Sequence, residues 1–436
     1  MELYSVSIRD LCFNNNFICK RWLQILGYLF LFYAESCSLI PAMRRLKAIL
    51  ASLYPYMKKL AGIITILIVT SNFQSVTAQR IIPKFIRKMY FEKDTSKRGG
   101  FVLIPVLSSA PETGLEVGGA GLYSFYTDTV HRETRVSNIY TYATITTKGQ
   151  NRFNLSTSRW SSQNKYHYTA AITFVNFPAN FYGIGNDTRK ADADLLDEKR
   201  LKLDIAAEKQ VMRNLYIGFL GGMYYYRYNN KTAGGIFDTG TGIQDKDGGP
   251  IAFLGPSLIF DSRDNNTYTT KGSMFTAQFK AIKGVFGNNG YNGGLVNIEY
   301  AKFLKLSNKF ILGLNARGQS LTGGASPFYL LPQMGNDEIM RGYYGGRYRD
   351  RNLVAGQAEL RYRLNERIGI AGFAGAGEVF HSKFAMSELK PNLGGGLRYF
   401  FDLEKGLAVR VDYGIGQKPI GETRASGLYV ALGQSF

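Results

Sequence analysis

Few residues in this chain are placed for covalent chemistry. The histidines are His131, His167 and His381, in segments that read as a turn, a strand and a loop. A serine hydrolase needs a Ser and a His facing each other on adjacent strands. No such pair stands out, so neither catalysis nor a cofactor is expected. Asp187, Asp192, Asp194, Asp197 and Glu198 form an acidic run that could take calcium. Their spacing matches no fixed metal loop, and a solvated outer loop is the better reading. Asp261 and Asp264 could bind a cation, but capping a tight turn by accepting backbone N–H groups suits them better. The remaining candidate is Met340-Arg341-Gly342-Tyr343, inside a loop rich in Gly and charge that runs into a strand ending near Leu364. A planar guanidinium can hold a carboxylate by two parallel bonds. Gly342 lets the backbone turn beside it.

The elements that must position these residues are strands. From Phe101 the chain breaks into segments of about 8 to 14 residues separated by turn formers. Sixteen are expected, near 101–107, 114–126, 135–147, 151–161, 164–177, 198–209, 213–228, 251–262, 271–283, 292–305, 308–321, 352–364, 367–380, 391–402, 406–417 and 426–436. Several alternate cleanly. Leu201, Leu203, Ile205 and Ala207 take one face, while Arg200, Lys202, Asp204 and Glu208 take the other. Leu407, Val409, Val411 and Tyr413 oppose Arg410 and Asp412. In the twelfth segment Val354, Gly356, Ala358, Leu360, Tyr362 and Leu364 oppose Gln357, Glu359, Arg361 and Arg363. A soluble sandwich also alternates. Here the polar faces carry charges of both signs in strand after strand, as a solvated lumen would, and the lengths suit a bilayer. The fold class is therefore all-β, a transmembrane antiparallel β-barrel of about sixteen strands occupying 101–436. Tight connections such as Leu306–Lys309 and Leu364–Arg367 contrast with long ones near 178–197, 229–250 and 322–351. Short periplasmic turns and long outer loops are the rule for such barrels. The turn near 127–134 is longer than that rule allows. The stretch 229–250 is expected to be a mobile outer loop.

The formal net charge is +20. Residues 1–56 contribute +3 and residues 57–78 contribute +2, which leaves +15 on the rest. Such an excess can signal nucleic acid. Its basic residues instead fall singly among apolar ones, as in Arg200-Leu201-Lys202, and line one face of a strand. Nucleic acid is not an expected partner; a basic pore or anionic lipid head groups fit better. Met57-Lys58-Lys59, an apolar run from Leu60 to Val69 and Ser75-Val76-Thr77-Ala78 make a signal peptide over 57–78. Residues 1–56 read as a mis-assigned extension before the true start at Met57, and 79–100 as a periplasmic tether or plug. Cys12, Cys19 and Cys37 all lie upstream of the expected mature start. No disulfide framework or thiolate metal site is expected.

The loop tetrapeptide Met340–Tyr343 resembles the [V/M/I]-R-G-[F/Y] signature of the BamA/TamA superfamily of outer-membrane barrels, the bacterial surface antigens. The likeness extends over roughly 100–436. Asp261-Ser262-Arg263-Asp264, followed by Gly272, resembles that family's turn between strands eight and nine. Gly394 to Tyr399 and Val409 to Gly414 resemble its two penultimate strands. The end of the chain, with Leu428, Val430, Leu432 and Phe436 sharing a face, resembles its barrel-closing strand and assembly signal. The resemblance implies an outer-membrane location in a Gram-negative bacterium and a role in inserting or moving proteins or lipids. The seam would lie between Phe101–Leu107 and Leu428–Phe436. A passive pore or structural surface antigen that kept only the fold is the alternative. The resemblance also implies that loop 322–351 folds inward and that Arg341 contacts Glu359, with Tyr343 packed on the wall.

There are two departures from the family pattern. The periplasmic POTRA modules that precede such barrels have no room in 79–100, so separate periplasmic or lipoprotein partners would have to replace them. Phe373-Ala374-Gly375-Ala376-Gly377 has glycine where the family's F-x-D-x-G carries Asp. One of the two usual carboxylates is therefore missing, and Glu378 is a candidate substitute.

Overall fold

The structure, a computed structural model, describes residues 99–436 apart from 111–113, 132 and 287–289. The expected extension, leader and most of the tether lie outside the described residues. The strands are β1 (Gly100–Ala110), β2 (Gly114–Phe125), β3 (Ser137–Thr146), β4 (Asn151–Trp160), β5 (Tyr166–Phe181), β6 (Asp194–Met212), β7 (Leu215–Asn230), β8 (Gly248–Asp261) and β9 (Gly272–Gly284). They continue as β10 (Asn292–Lys305), β11 (Phe310–Gly323), β12 (Gln333–Met334), β13 (Tyr348–Arg349), β14 (Asn352–Arg363), β15 (Ile368–Phe380), β16 (Lys390–Asp402), β17 (Leu407–Ile415) and β18 (Ser426–Leu432). Sixteen of them form one antiparallel sheet in chain order, while β12 and β13 pair separately within the loop between β11 and β14.

Period-two alternation decides which side chains face which way. On β6, Leu201, Leu203 and Ile205 are exposed, and on β14 so are Val354, Leu360 and the adjoining Leu364. Between them on β14, Gln357, Glu359 and Arg361 are buried. Apolar outside and charged inside is the pattern of a sheet whose outer face meets lipid. No helix among the described residues is long and apolar enough to cross a membrane.

The two ends of the sheet, β1 and β18, share no ladder among the described residues. Side chains bring them together instead. Val102 of β1 and Leu122 of β2 form one buried cluster with Phe401 and Leu407, and Leu432 of β18 packs against it.

Three expectations need correcting. β6 runs for 19 residues and starts before the expected 198–209, because its ladder with β5 continues to Asp194 and its ladder with β7 to Leu196. That absorbs Asp194, Asp197 and Glu198 of the acidic run into a strand, where each finds a partner. Asp194 accepts from Phe237 N–H at 2.7 Å, Asp197 pairs with Lys231 at 2.9 Å and Glu198 pairs with Arg200 at 2.9 Å. Second, the 229–250 connection is not loose. It carries a one-turn helix, α1 (Ile236–Thr239), whose Phe237 is buried edge-on to Phe181 and Phe328. Third, the last strand stops at Leu432. Gly433 takes φ +83°, and the tail turns inward.

Candidate functional site

The loop from 324 to 351 enters the sheet's concave side and carries Arg341 to a wall of carboxylates. Arg341 is fully buried. Its Nη2 donates to Glu359 Oε2 at 2.8 Å and its Nη1 to Asp412 Oδ2 at 2.6 Å. The guanidinium plane lies 3.5 Å from the Phe373 ring centroid, a stacking that suits a weakly hydrated planar cation. Glu359 sits on β14 and Asp412 on β17, and neither is exposed at all.

Further guanidinium groups complete the cluster. Arg361 Nε donates to Glu359 at 2.8 Å, Arg410 Nη1 donates to Asp412 at 3.0 Å, and Arg398 bonds both carboxylates. Arg410 also reaches Asp337 of the loop at 2.6 Å. Two buried carboxylates thus hold four buried guanidinium groups. Charges this deep persist only when paired and hydrogen-bonded.

Asp412 is the second carboxylate that the Gly375 departure left open. It comes from β17, not from β15, and it is not Glu378. Glu378 is buried elsewhere and accepts from Ala385 N–H at 3.1 Å. Position 375 has no room for an acid. A Cβ there would lie 2.6 Å from the Gly356 carbonyl and 2.8 Å from Asn392 Oδ1.

The rest of the signature fixes the loop backbone. Met340 is buried at φ +58°. Gly342 takes φ +110°, and a Cβ on it would strike the Ile415 backbone at 2.8 Å. The loop therefore passes directly against β17. Gly342 N–H donates to Tyr429 Oη of β18 at 2.9 Å, and Asn392 Nδ2 donates to the Arg341 carbonyl at 2.9 Å. Tyr343 is buried, and its hydroxyl donates to the Pro391 carbonyl at 2.6 Å and accepts from Gln417 N–H at 2.9 Å. The chain end joins the same site. Ser435 Oγ donates to Glu359 at 3.0 Å, Arg361 donates to the Phe436 carbonyl at 2.9 Å, and the Phe436 ring lies 5.9 Å from that of Phe303. Leu428 and Val430 do face outward, but Phe436 does not share their face.

The motif between β8 and β9 does more than cap a turn. Asp264 Oδ1 accepts from Thr270 and Lys271 N–H groups, and Gly272 takes φ +106°. Asp261 is buried and binds two guanidinium groups, Arg263 at 2.8 Å and Arg135 at 2.7 Å. Arg135 belongs to the connection between β2 and β3, and Asn266 clasps the Val136 backbone through N–H and carbonyl. On its other side the turn donates from Thr267 Oγ1 to the Lys405 carbonyl, and Tyr268 packs edge-on to Phe400. The extra length of the β2–β3 connection supplies Arg135 and Val136 to this contact.

The structure also brings His167 to a serine, which the sequence did not disclose. Ser158 Oγ lies 3.0 Å from His167 Nε2, and His167 Nδ1 lies 3.1 Å from Glu208 Oε2. The three stand on β4, β5 and β6, and His167 stacks on Trp160. Glu208 also accepts from Ser257 at 2.9 Å. The signal was the shared inward parity of Ser158, His167 and Glu208; the register that aligns them was not readable.

The Omp85 superfamily domain matches residues 119–436. Among solved structures, BamA from Haemophilus ducreyi lacking POTRA domains 1–3 is 12% identical, with a TM-score of 0.48 over 80% of this chain and 76% of that one. CdiB from Acinetobacter baumannii is 11% identical, with a TM-score of 0.49 over 77% of this chain and 60% of that one. CdiB from Escherichia coli is 10% identical, with a TM-score of 0.48 over 78% of this chain and 63% of that one. No curated protein matches the sequence. With the family domain spanning most of the chain, this protein belongs to the Omp85 superfamily of outer-membrane proteins.

Proposed function

We propose that this protein assists the insertion or translocation of proteins or lipids at the outer membrane of a Gram-negative bacterium, through the seam between β1 and β18. The observation that carries this reading is the pair of sheet ends with no ladder between them among the described residues, held by one apolar side-chain cluster. Unpaired strand edges present N–H and C=O groups that lipid cannot satisfy. An incoming client strand can pair with either edge. The cluster costs less to part than a full ladder of backbone bonds.

The loop is placed to bias that step. Its Arg341 is anchored on β14 and β17, and its Gly342 holds Tyr429 of β18 itself. Withdrawing the loop would remove that hold and leave the last strand on its ladder with β17 alone and the apolar cluster. The role is non-catalytic, and periplasmic or lipoprotein partners would deliver clients.

The test compares two activities of the refolded protein. Insertion of a test barrel into liposomes above the empty-liposome rate is the expected result. Steady conductance in planar bilayers without any insertion would instead support a passive pore.

A further inference from the structure

A cavity of about 600 Å³ lies between the loop and the inner wall of the sheet. Among the described residues its lining carries Arg152, Arg200, Lys202, Arg317 and Arg349 against a single carboxylate, Glu198. The register explains the crowding. Arg152 pairs across to Val175, and Val175 to Arg200, so the two arginines sit in one inward row, with Lys202 in the next.

Two of the five cations are neutralised. Arg200 bonds Glu198 at 2.9 Å, and Arg317 bonds Glu299 and Glu338 at 3.1 Å each. Among the described residues, Arg152, Lys202 and Arg349 have no carboxylate within ion-pair distance. Each rests on aromatic rings instead. Arg152 lies 3.4 Å from the Phe177 centroid, Lys202 4.8 Å from that of Tyr224, and Arg349 5.2 Å from that of Phe181. Arg349 is only 7% exposed and spends its Nε on the Gly346 carbonyl at 3.0 Å. Its backbone is held by Gly185 N–H at 2.7 Å.

Ring faces steady these cations without consuming their N–H donors. Three like charges with spare donors line a confined space, which is unfavourable until an anion enters. We propose that this chamber binds a phosphoryl group, carried either by a free phosphate or by a lipid head group. A phosphate offers acceptor oxygens in several directions, which suits donors arriving from β4, β6 and the loop better than a planar carboxylate does. The aromatic lining, including Tyr226 and Phe328, leaves apolar surface for an organic body. Because Arg349 is on the loop and the other two are on the wall, the occupant bridges them and holds the loop in place. This inference stands whether or not the seam moves clients.

The test titrates refolded protein in non-ionic detergent, by calorimetry and by the shift in unfolding temperature. One arm uses inorganic phosphate and the other dihexanoyl phosphatidic acid, both against a chloride background. The comparison is the double variant Arg152→Gln with Lys202→Gln, checked for native gel mobility. Neither residue touches the Arg341 cluster. Binding in the wild type that weakens about tenfold or more in the variant is expected, given the worth of a charge-assisted hydrogen bond. Binding of phosphate identifies the free anion as sufficient; binding of the phosphatidate alone identifies a head group. No binding in either arm overturns the proposal, and so does equal binding by wild type and double variant.

Discussion

Asp412 Oδ2 lies 2.6 Å from Arg341 Nη1, although 71 residues separate them, while Nη2 of the same guanidinium reaches Glu359 at 2.8 Å. One side chain of the loop thus clamps β14 to β17, with β15 and β16 between them, and stacks on Phe373 of β15. Removing it leaves two carboxylates facing the remaining arginines in altered geometry.

Arg341→Ala is expected to lower stability by about 3 kcal/mol, the usual scale for breaking a buried pair. Arg341→Lys should recover little, because an ammonium cannot hold two carboxylates and stack on a ring at once. Combining Arg341→Ala with Asp412→Asn should cost less than the two single losses together. Unfolding in detergent measures all of these. Strict additivity would mean that the two residues are not coupled.

Gly375→Asp restores the acid at the family's usual position. It is expected to destabilise the protein by more than about 1 kcal/mol, because the new Cβ meets the Gly356 carbonyl at 2.6 Å. A gain in unfolding temperature would show that β14 and β15 can separate to admit it.

Ser158 is not expected to act as a nucleophile despite its bond to His167. Backbone N–H groups along β4 are committed to the ladders with β3 and β5, which leaves no preorganised donors for an oxyanion. A fluorophosphonate probe should leave the folded protein unlabelled. Labelling that disappears in Ser158→Ala would establish a reactive serine.

The contact between the β17–β18 loop and the long loop before β14 should loosen in acid. Burial pushes the Glu422 carboxyl up, but the Lys190 N–H bond and the Arg347 guanidinium outweigh it and hold it below the usual carboxylate range. A depressed carboxyl stabilises the fold above its ordinary value of about 4.3, and that contribution is lost as pH falls through the folded value. Glu422 joins the β17–β18 loop to Arg347, which donates to the Thr188 carbonyl at 3.1 Å. Protease cutting near 416–425 should therefore rise in acid, read with an acid-active protease. Glu422→Gln should cut readily at every pH. A pH-independent wild type would remove Glu422 from this role.

Alternation along each segment was enough to read sixteen strands, their order and the inward parity of Glu359, Arg410 and Asp412. Parity follows from the two-residue repeat of a strand, which is a local property. It tells which wall a side chain lines and is silent about what stands opposite. That Asp412 replaces the missing acid of β15 depended on how far the sheet curls and where the loop descends. The same holds for Ser158 meeting His167, for Arg135 crossing to Asp261 and for Phe436 turning inward at Gly433. Each of these contacts joins residues whose own segments look complete without them. Only the tertiary structure decides such pairings, because they are set by inter-strand register and by a loop's path through the lumen, and both depend on contacts far apart in sequence.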